Sequence, residues 1–166
     1  MKTEEIIRAL KLRPLPEEGG FYSENYRSAI ELPADIVSPP YSGTRSASTA
    51  IYYLLTPEAF SALHRLSSDE IFHFYLGDPI ELLELCKDGR GKVVKLGQDL
   101  LGGMELQHVV KKDTWQGSRL IPGGSFALLG VTVAPGFDFQ DFEIGSRDNL
   151  IHLYPNFEKQ IKELTR

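Results

Sequence analysis

The stretch FSALHRLSSDEIFHFYLGDP, residues 60–79, holds the side chains best suited to chemistry. His64 closes one alternating run, Ser67, Ser68 and Asp69 make a polar turn, and Glu70 begins the next run. If that turn folds the two runs into an antiparallel pair, His64 and Glu70 meet across a hairpin. Alternation along a strand puts Ala62 on the face of His64, and Phe72 and Phe74 on the face of Glu70. An imidazole oriented by a carboxylate between aromatic walls can act as a general base in a small-molecule pocket. The competing reading is structural: the two groups satisfy each other inside a core, because buried polar groups need partners.

Other residues are candidates for lining such a pocket. Tyr53 and Gln107 are polar groups within strand-like runs, and Trp115 and Gln116 sit beside a turn where an indole can stack and an amide can donate or accept. His73 falls three positions after Glu70. A regular strand therefore points it to the opposite face, toward a second sheet, an interface or solvent, and it stays a candidate ligand contact. His152 reads as structural. The run Phe137 to Glu143 alternates acidic and aromatic residues and is expected to form a strand that closes a pocket mouth or crosses to a partner subunit. No metal ligand set is assigned and no cofactor is expected. His64 and Glu70 supply two donors where a mononuclear centre needs three or four. The single cysteine, Cys86, rules out an intramolecular disulfide and a paired-cysteine metal site. Nucleophile elbows, phosphate-binding loops, dinucleotide fingerprints and zinc-protease motifs are absent from the sequence.

These residues must be positioned by a chain of 166 residues, enough for one domain, residues 1–166, with a substantial core. Hydrophobic residues make up 42% and charged residues 25%, an ordinary globular balance. A formal net charge of −5 repels phosphate backbones and argues against nucleic acid as a partner. No window approaches the ~18 apolar residues of a membrane span. The opening MKTEEIIRALKL does not read as a signal peptide, so a reducing, cytoplasmic setting is expected.

Thr3 to Leu12 carries Ile6, Ile7 and Leu10 at helical spacing, with Thr3 as cap and Pro14 and Pro16 as the stop. Glu17 to Arg27 reads as a Gly-Gly turn feeding a strand, and residues 31–45, with three prolines, as a surface loop. From Thr49 onward short β-branched and aromatic runs recur: 49–55, 60–66, 70–76, 80–86, 92–96, 106–111, 118–121, 126–133 and 137–144. Asp88-Gly89-Arg90-Gly91 is a hairpin signal between two of them. Asn156 to Leu164 reads as a terminal helix. The pattern is all-β, a sandwich, jelly roll or barrel with short helices at its ends.

The spacing resembles the cupin superfamily. The first cupin motif runs Gly, five residues, His-x-His, three or four residues, Glu, six residues, Gly; here His64, Glu70 and Gly77 keep that register, and Leu66 replaces the second histidine. The second motif, Pro-x-Gly, two residues, His, is matched by Pro122-Gly123-Gly124, with Ala127 in place of histidine. The segments LRPLPEEGGFYSENYR, STAIYYLL, DEIFHFYLGDPIEL, VVKKDTWQ and PGFDFQDFEIGSRDNLIHLYP look like the type 5 cupin group. That resemblance implies a double-stranded β-helix barrel, a homodimer, and a structural kinship with nucleotide-sugar epimerase cupins, in which a histidine at the place of His64 takes a proton next to a carbonyl. Three functions stay open: an isomerase or epimerase on a small polar carbonyl compound or sugar derivative, a noncatalytic small-molecule-binding cupin, and a metal-dependent cupin.

Overall fold

The computed structural model describes residues 2–37 and 41–166. In chain order it contains α1 (Thr3–Ala9), β1 (Arg13–Pro14), β2 (Phe21–Arg27), β3 (Glu31–Leu32), β4 (Arg45–Ser46), β5 (Thr49–Leu55), β6 (Ser61–Leu66), β7 (Asp69–Gly77) and β8 (Ile80–Leu85). There follow β9 (Gly91–Leu96), β10 (Gln107–Val110), β11 (Trp115–Leu120), β12 (Ala127–Ala134), β13 (Phe142–Ile144), α2 (Arg147–Leu153) and α3 (Glu158–Glu163). A six-stranded sheet, β1-β2-β5-β12-β7-β10, faces a five-stranded sheet, β13-β6-β11-β8-β9, and together they form a jelly-roll barrel.

Alternation explains the faces. In β5, Thr49, Ile51 and Tyr53 point into the barrel, and in β12 Val131 and Val133 join them. The interior core is Tyr53, Phe72, Phe74, Leu82, Leu129 and their neighbours. β6 is buried on both faces: His64 looks inward, while Leu63 packs outward against Leu150, Ile161 and Leu164 from α2, α3 and the segment after them. Each fully buried leucine in this second layer contributes ~2 kcal/mol. A third cluster, Ile6 and Leu12 with Leu54 and Leu128, seats α1 on the outside of the six-stranded sheet.

Several expectations change. β6 and β7 do not pair as a hairpin. The turn at Ser67 and Ser68 carries the chain from one sheet to the other, so His64 and Glu70 face each other across the barrel interior. Residues 137–144 are not one alternating strand. Asp138 accepts a hydrogen bond from the Gln140 amide at 2.9 Å and starts a 3-10 turn over Phe139–Asp141, leaving only β13 extended. α2 was not foreseen. Its buried anchor is Leu150, which needs the outer face of β6 to pack against. Within residues 31–45, β3 pairs with β4, while residues 38–40 lie outside the described residues. The Asp88–Gly91 hairpin joins β8 to β9.

Candidate functional site

Glu18 reaches the barrel interior from the turn between β1 and β2. Gly19 and Gly20 carry φ values of +100° and +72°, and a side chain on Gly20 would strike the Tyr53 ring. Only a Gly-Gly pair lets this turn pass so close to β5 and β6. The Glu18 carbonyl accepts the Ala62 amide at 2.8 Å, and the Tyr53 hydroxyl donates to the Gly19 carbonyl at 2.9 Å. The Ser61 hydroxyl donates to the Glu18 carboxylate at 2.7 Å.

His64 is 2% exposed. Its Nδ1 lies 2.8 Å from the Ala62 carbonyl, an acceptor, so Nδ1 carries a proton and Nε2 faces the carboxylates. Nε2 is 3.9 Å from Glu18 and 3.8 Å from Glu70. The Phe142 ring stacks on the imidazole with centroids 5.3 Å apart. Glu70 accepts a hydrogen bond from the Gln116 side-chain amide, whose own carbonyl oxygen, buried, has no partner. Gln116 stands opposite His64 in the sheet. The step from His64 to Ser61 on β6 is matched by the shorter step from Gln116 to Ser118 on β11, a bulge that re-aims the strand at this point.

Burial by itself would depress the His64 pKa. The negative charges of Glu18 and Glu70 outweigh it and raise the pKa to about 9. Burial pushes the Glu18 carboxyl above its usual range, opposed in part by His64. Burial, with Glu18 adding, also holds the Tyr53 hydroxyl well above its ordinary value, so it remains a donor.

A cavity of about 430 Å³ opens beside this cluster. Its deep wall includes Tyr53, Glu70 and Phe72, all buried, with Glu18 next to them. Its rim includes Arg13 and Phe139, both exposed. Phe137 also lines it, so the segment once expected as a strand does border the opening. That segment is tied down by a buried bidentate pair, Arg45 to Asp141, at 2.7 and 2.8 Å.

Of the residues singled out in the sequence, the structure gathers His64, Glu70, Tyr53 and Gln116. Three others lie elsewhere. His73 sits on the outer face of the six-stranded sheet, with Nε2 3.3 Å from the Thr132 hydroxyl and its ring stacked on Tyr75. Gln107 pairs opposite it on β10 and is exposed. Both fall on the outward positions of their strands. Trp115 faces outward from β11 into the layer with Leu150 and Tyr154, under the Arg65 guanidinium at 4.6 Å. Glu18 and Phe142 were not singled out as site residues. Glu18 lies 46 positions from His64 in the chain, and its only local signal was an acidic residue beside the Gly-Gly turn.

The usual cupin metal set does not fit these residues. Leu66, where a second histidine would stand, is a buried hydrocarbon. Ala127 lies opposite Gly77, at the far end of β12 from Val133, which is the partner of Glu70. Among the described residues, no group of three or more His, Cys, Asp or Glu side chains converges as a metal-binding set.

Residues 4–145 match the family model described as Cupin superfamily (DUF985). The chain is 32% identical over 147 residues to the uncharacterized protein YML079W of Saccharomyces cerevisiae, covering 82% of this chain and 72% of the yeast protein. A hypothetical protein from Leishmania major superposes with a TM-score of 0.89 at 36% identity, over 99% of both chains. Protein SO0799 from Shewanella oneidensis gives 0.87 at 32% identity, over 100% of this chain and 98% of that one. Barrel topology, motif register and matched length agree: this chain belongs to the cupin superfamily, in its DUF985 family.

Proposed function

We propose that this cupin binds a small polar carbonyl compound in the interior cavity and moves a proton at the carbon beside the carbonyl, as an isomerase or epimerase does. The observation that carries the reading is that two carboxylates, Glu18 and Glu70, line the cavity, while the imidazole they share stays 3.8–3.9 Å from each. Neither acid is consumed by a short bond to the histidine. The roles differ from those expected from the sequence. A histidine held protonated cannot accept a proton, so His64 supplies positive charge behind the carboxylates. Glu18, whose proton affinity burial raises, is the base. It takes the proton from carbon, the electron pair moves onto the carbonyl oxygen as an enolate, and return of the proton to the same or the adjacent carbon gives the isomer. Arg13 is a donor on the rim for polar or anionic substituents, such as those of a sugar derivative or a keto acid, and the Tyr53 hydroxyl oxygen on the wall is left as an acceptor.

The same reading takes the outer face of the six-stranded sheet as the contact with a second copy. Tyr75 is 43% and Val109 37% exposed there, beside Tyr52 and His73. No helix among the described residues is long and apolar enough to cross a membrane, and a lone cysteine suits a reducing, cytoplasmic setting. The test is a thermal-shift screen of keto acids, hydroxy acids and sugar derivatives, followed by incubation of each stabilising compound in D₂O. The expected result is protein-dependent deuterium uptake at the carbon beside the carbonyl, slowed about 100-fold or more in Glu18→Gln, with binding retained. A stabilising ligand with no exchange in the wild type would reassign the protein as a binding module.

A further inference from the structure

The turn that carries Glu18 is conformationally costly. Glu17, a non-glycine residue, has φ +62°, and Gly19 and Gly20 are also left-handed. Such a turn persists only where its surroundings over-determine it, and the surroundings come from the segment after α3. The Leu63 amide donates to the Leu164 carbonyl at 2.7 Å, which lays this segment along the outside of β6. Arg147 donates to the Thr165 hydroxyl at 2.8 Å and to its carbonyl at 2.5 Å, and the Thr165 hydroxyl donates to the Ile161 carbonyl at 2.7 Å. So anchored, the segment delivers Arg166 to the turn. Its guanidinium donates to the carbonyls of Glu17 at 2.5 Å and Glu18 at 3.1 Å, reaches toward that of Phe60 at 3.5 Å, and lies 4.7 Å over the Phe60 ring. A side chain on Gly19 would collide with both Arg166 and the Phe60 carbonyl. Among the described residues Arg166 has no carboxylate partner; its hydrogen bonds go to carbonyls.

We propose that Arg166 is a positioning residue, gathering the Glu17, Glu18 and Phe60 carbonyls onto one guanidinium and thereby holding the Glu18 carboxylate against His64. Without the guanidinium the Glu17 and Phe60 carbonyls lose this donor and the Glu18 carbonyl keeps the Ala62 amide, so the crowded carbonyl dipoles repel and the turn that relieves them shifts Glu18 at the cavity floor. Arg147 and Arg166 both lie beyond residues 4–145, which the family model matches. The proposal rests on Glu18 and His64 forming the site floor but not on turnover.

Its test is the titration of the His64 imidazole by NMR, with the signal assigned by its loss in His64→Gln. Groups facing the imidazole are Glu18, Glu70, Phe142 and, through Glu70, Gln116. Arg166→Ala is expected to lower the His64 midpoint by about one pH unit, toward the value in Glu18→Gln. Arg166→Lys should recover part of the shift. The sign is diagnostic. Deleting a nearby cation acts directly to raise a histidine midpoint, so a fall reports a weaker Glu18 charge at the imidazole. In Glu18→Gln, adding Arg166→Ala should produce no further fall. A midpoint unchanged or raised in Arg166→Ala, with any loss of Tm, overturns the proposal and leaves the site reading intact. A wild-type midpoint near the ordinary value overturns the site reading first, and the clamp with it.

Discussion

Two imidazoles in this barrel each lie between two carboxylates, and they are built differently. His108 on β10 is 2.5 Å from Glu84 on β8 and 2.6 Å from Glu105, and Lys92 on β9 adds a contact to Glu84 at 3.3 Å. Both ring nitrogens are closed by short bonds, chiefly that to Glu84, and the pKa rises for that reason. None of these residues lines the large cavity. His64 has one nitrogen closed by a carbonyl, while the other faces two carboxylates at longer range, and those two carboxylates line the cavity. The two sites share a row of the five-stranded sheet, because Gln116 is the strand partner of both His64 and Glu84. The same chemical groups in the same row thus make a bolt where both ring nitrogens are closed by short bonds, and a more open cluster where one nitrogen meets its carboxylates only at longer range.

The strongest way to break this contrast is at Glu84. Glu84→Ala leaves a buried imidazolium without its main partner and is expected to cost about 3 kcal/mol in urea unfolding, with ligand-induced stabilisation unchanged. Replacing both partners, Glu84→Leu with His108→Leu, should recover most of that loss. Equal damage from the single and double changes would show that His108 is no simple bolt.

The next test separates the sites by pH. The folded His64 midpoint, about 9, lies above the ordinary value near 6.5. The folded state therefore holds this proton more tightly. That stabilisation is complete below about pH 6.5 and is lost as pH rises through about 9. Glu18, also raised, acts with the same sign. Relative to His64→Gln, the wild type should lose of order 2 kcal/mol of unfolding free energy between pH 6.5 and 9, a difference that denaturant melts at several pH values would measure. Parallel curves for the two proteins would remove His64 from the charge cluster. The smallest effect is expected at Ser61→Ala, which deletes the donor to Glu18 and should destabilise by about 1 kcal/mol while raising the pH needed to ionise Glu18.

Much of the barrel was legible in the sequence because its signals are local. TAIYYLL is a β-branched and aromatic run, DEIFHFYL places Glu70, Phe72 and Phe74 on one face, Asp88-Gly89 is hairpin chemistry, and the His64, Glu70, Gly77 register matches a known motif. The errors came where a local pattern had more than one spatial solution. A polar turn after His64 fits a hairpin as well as a crossing between sheets, and the two sheets place Glu70 opposite His64 either way. The alternation of Phe137 to Glu143 reads as a strand until Asp138 spends its carboxylate on the Gln140 amide. His73 and Gln107 were plausible contacts by type, yet the parity that faces Glu70, Phe72 and Phe74 inward necessarily turns His73 outward.

The sequence by itself determined that there is a barrel, which strands form it, and that one imidazole and one carboxylate belong to its interior, because strand period and turn chemistry are written in neighbouring residues. It also showed Leu66 and Ala127 at the motif positions of two histidines, although the structure sets Ala127 at the far end of β12 from the partner of Glu70. Only the tertiary structure decided that the imidazole has a second acid. Glu18 and the Arg166 that braces its turn are separated from His64 by 46 and 102 positions. No local pattern encodes that meeting, which follows from the closure of two sheets and the return of the segment after α3 along β6.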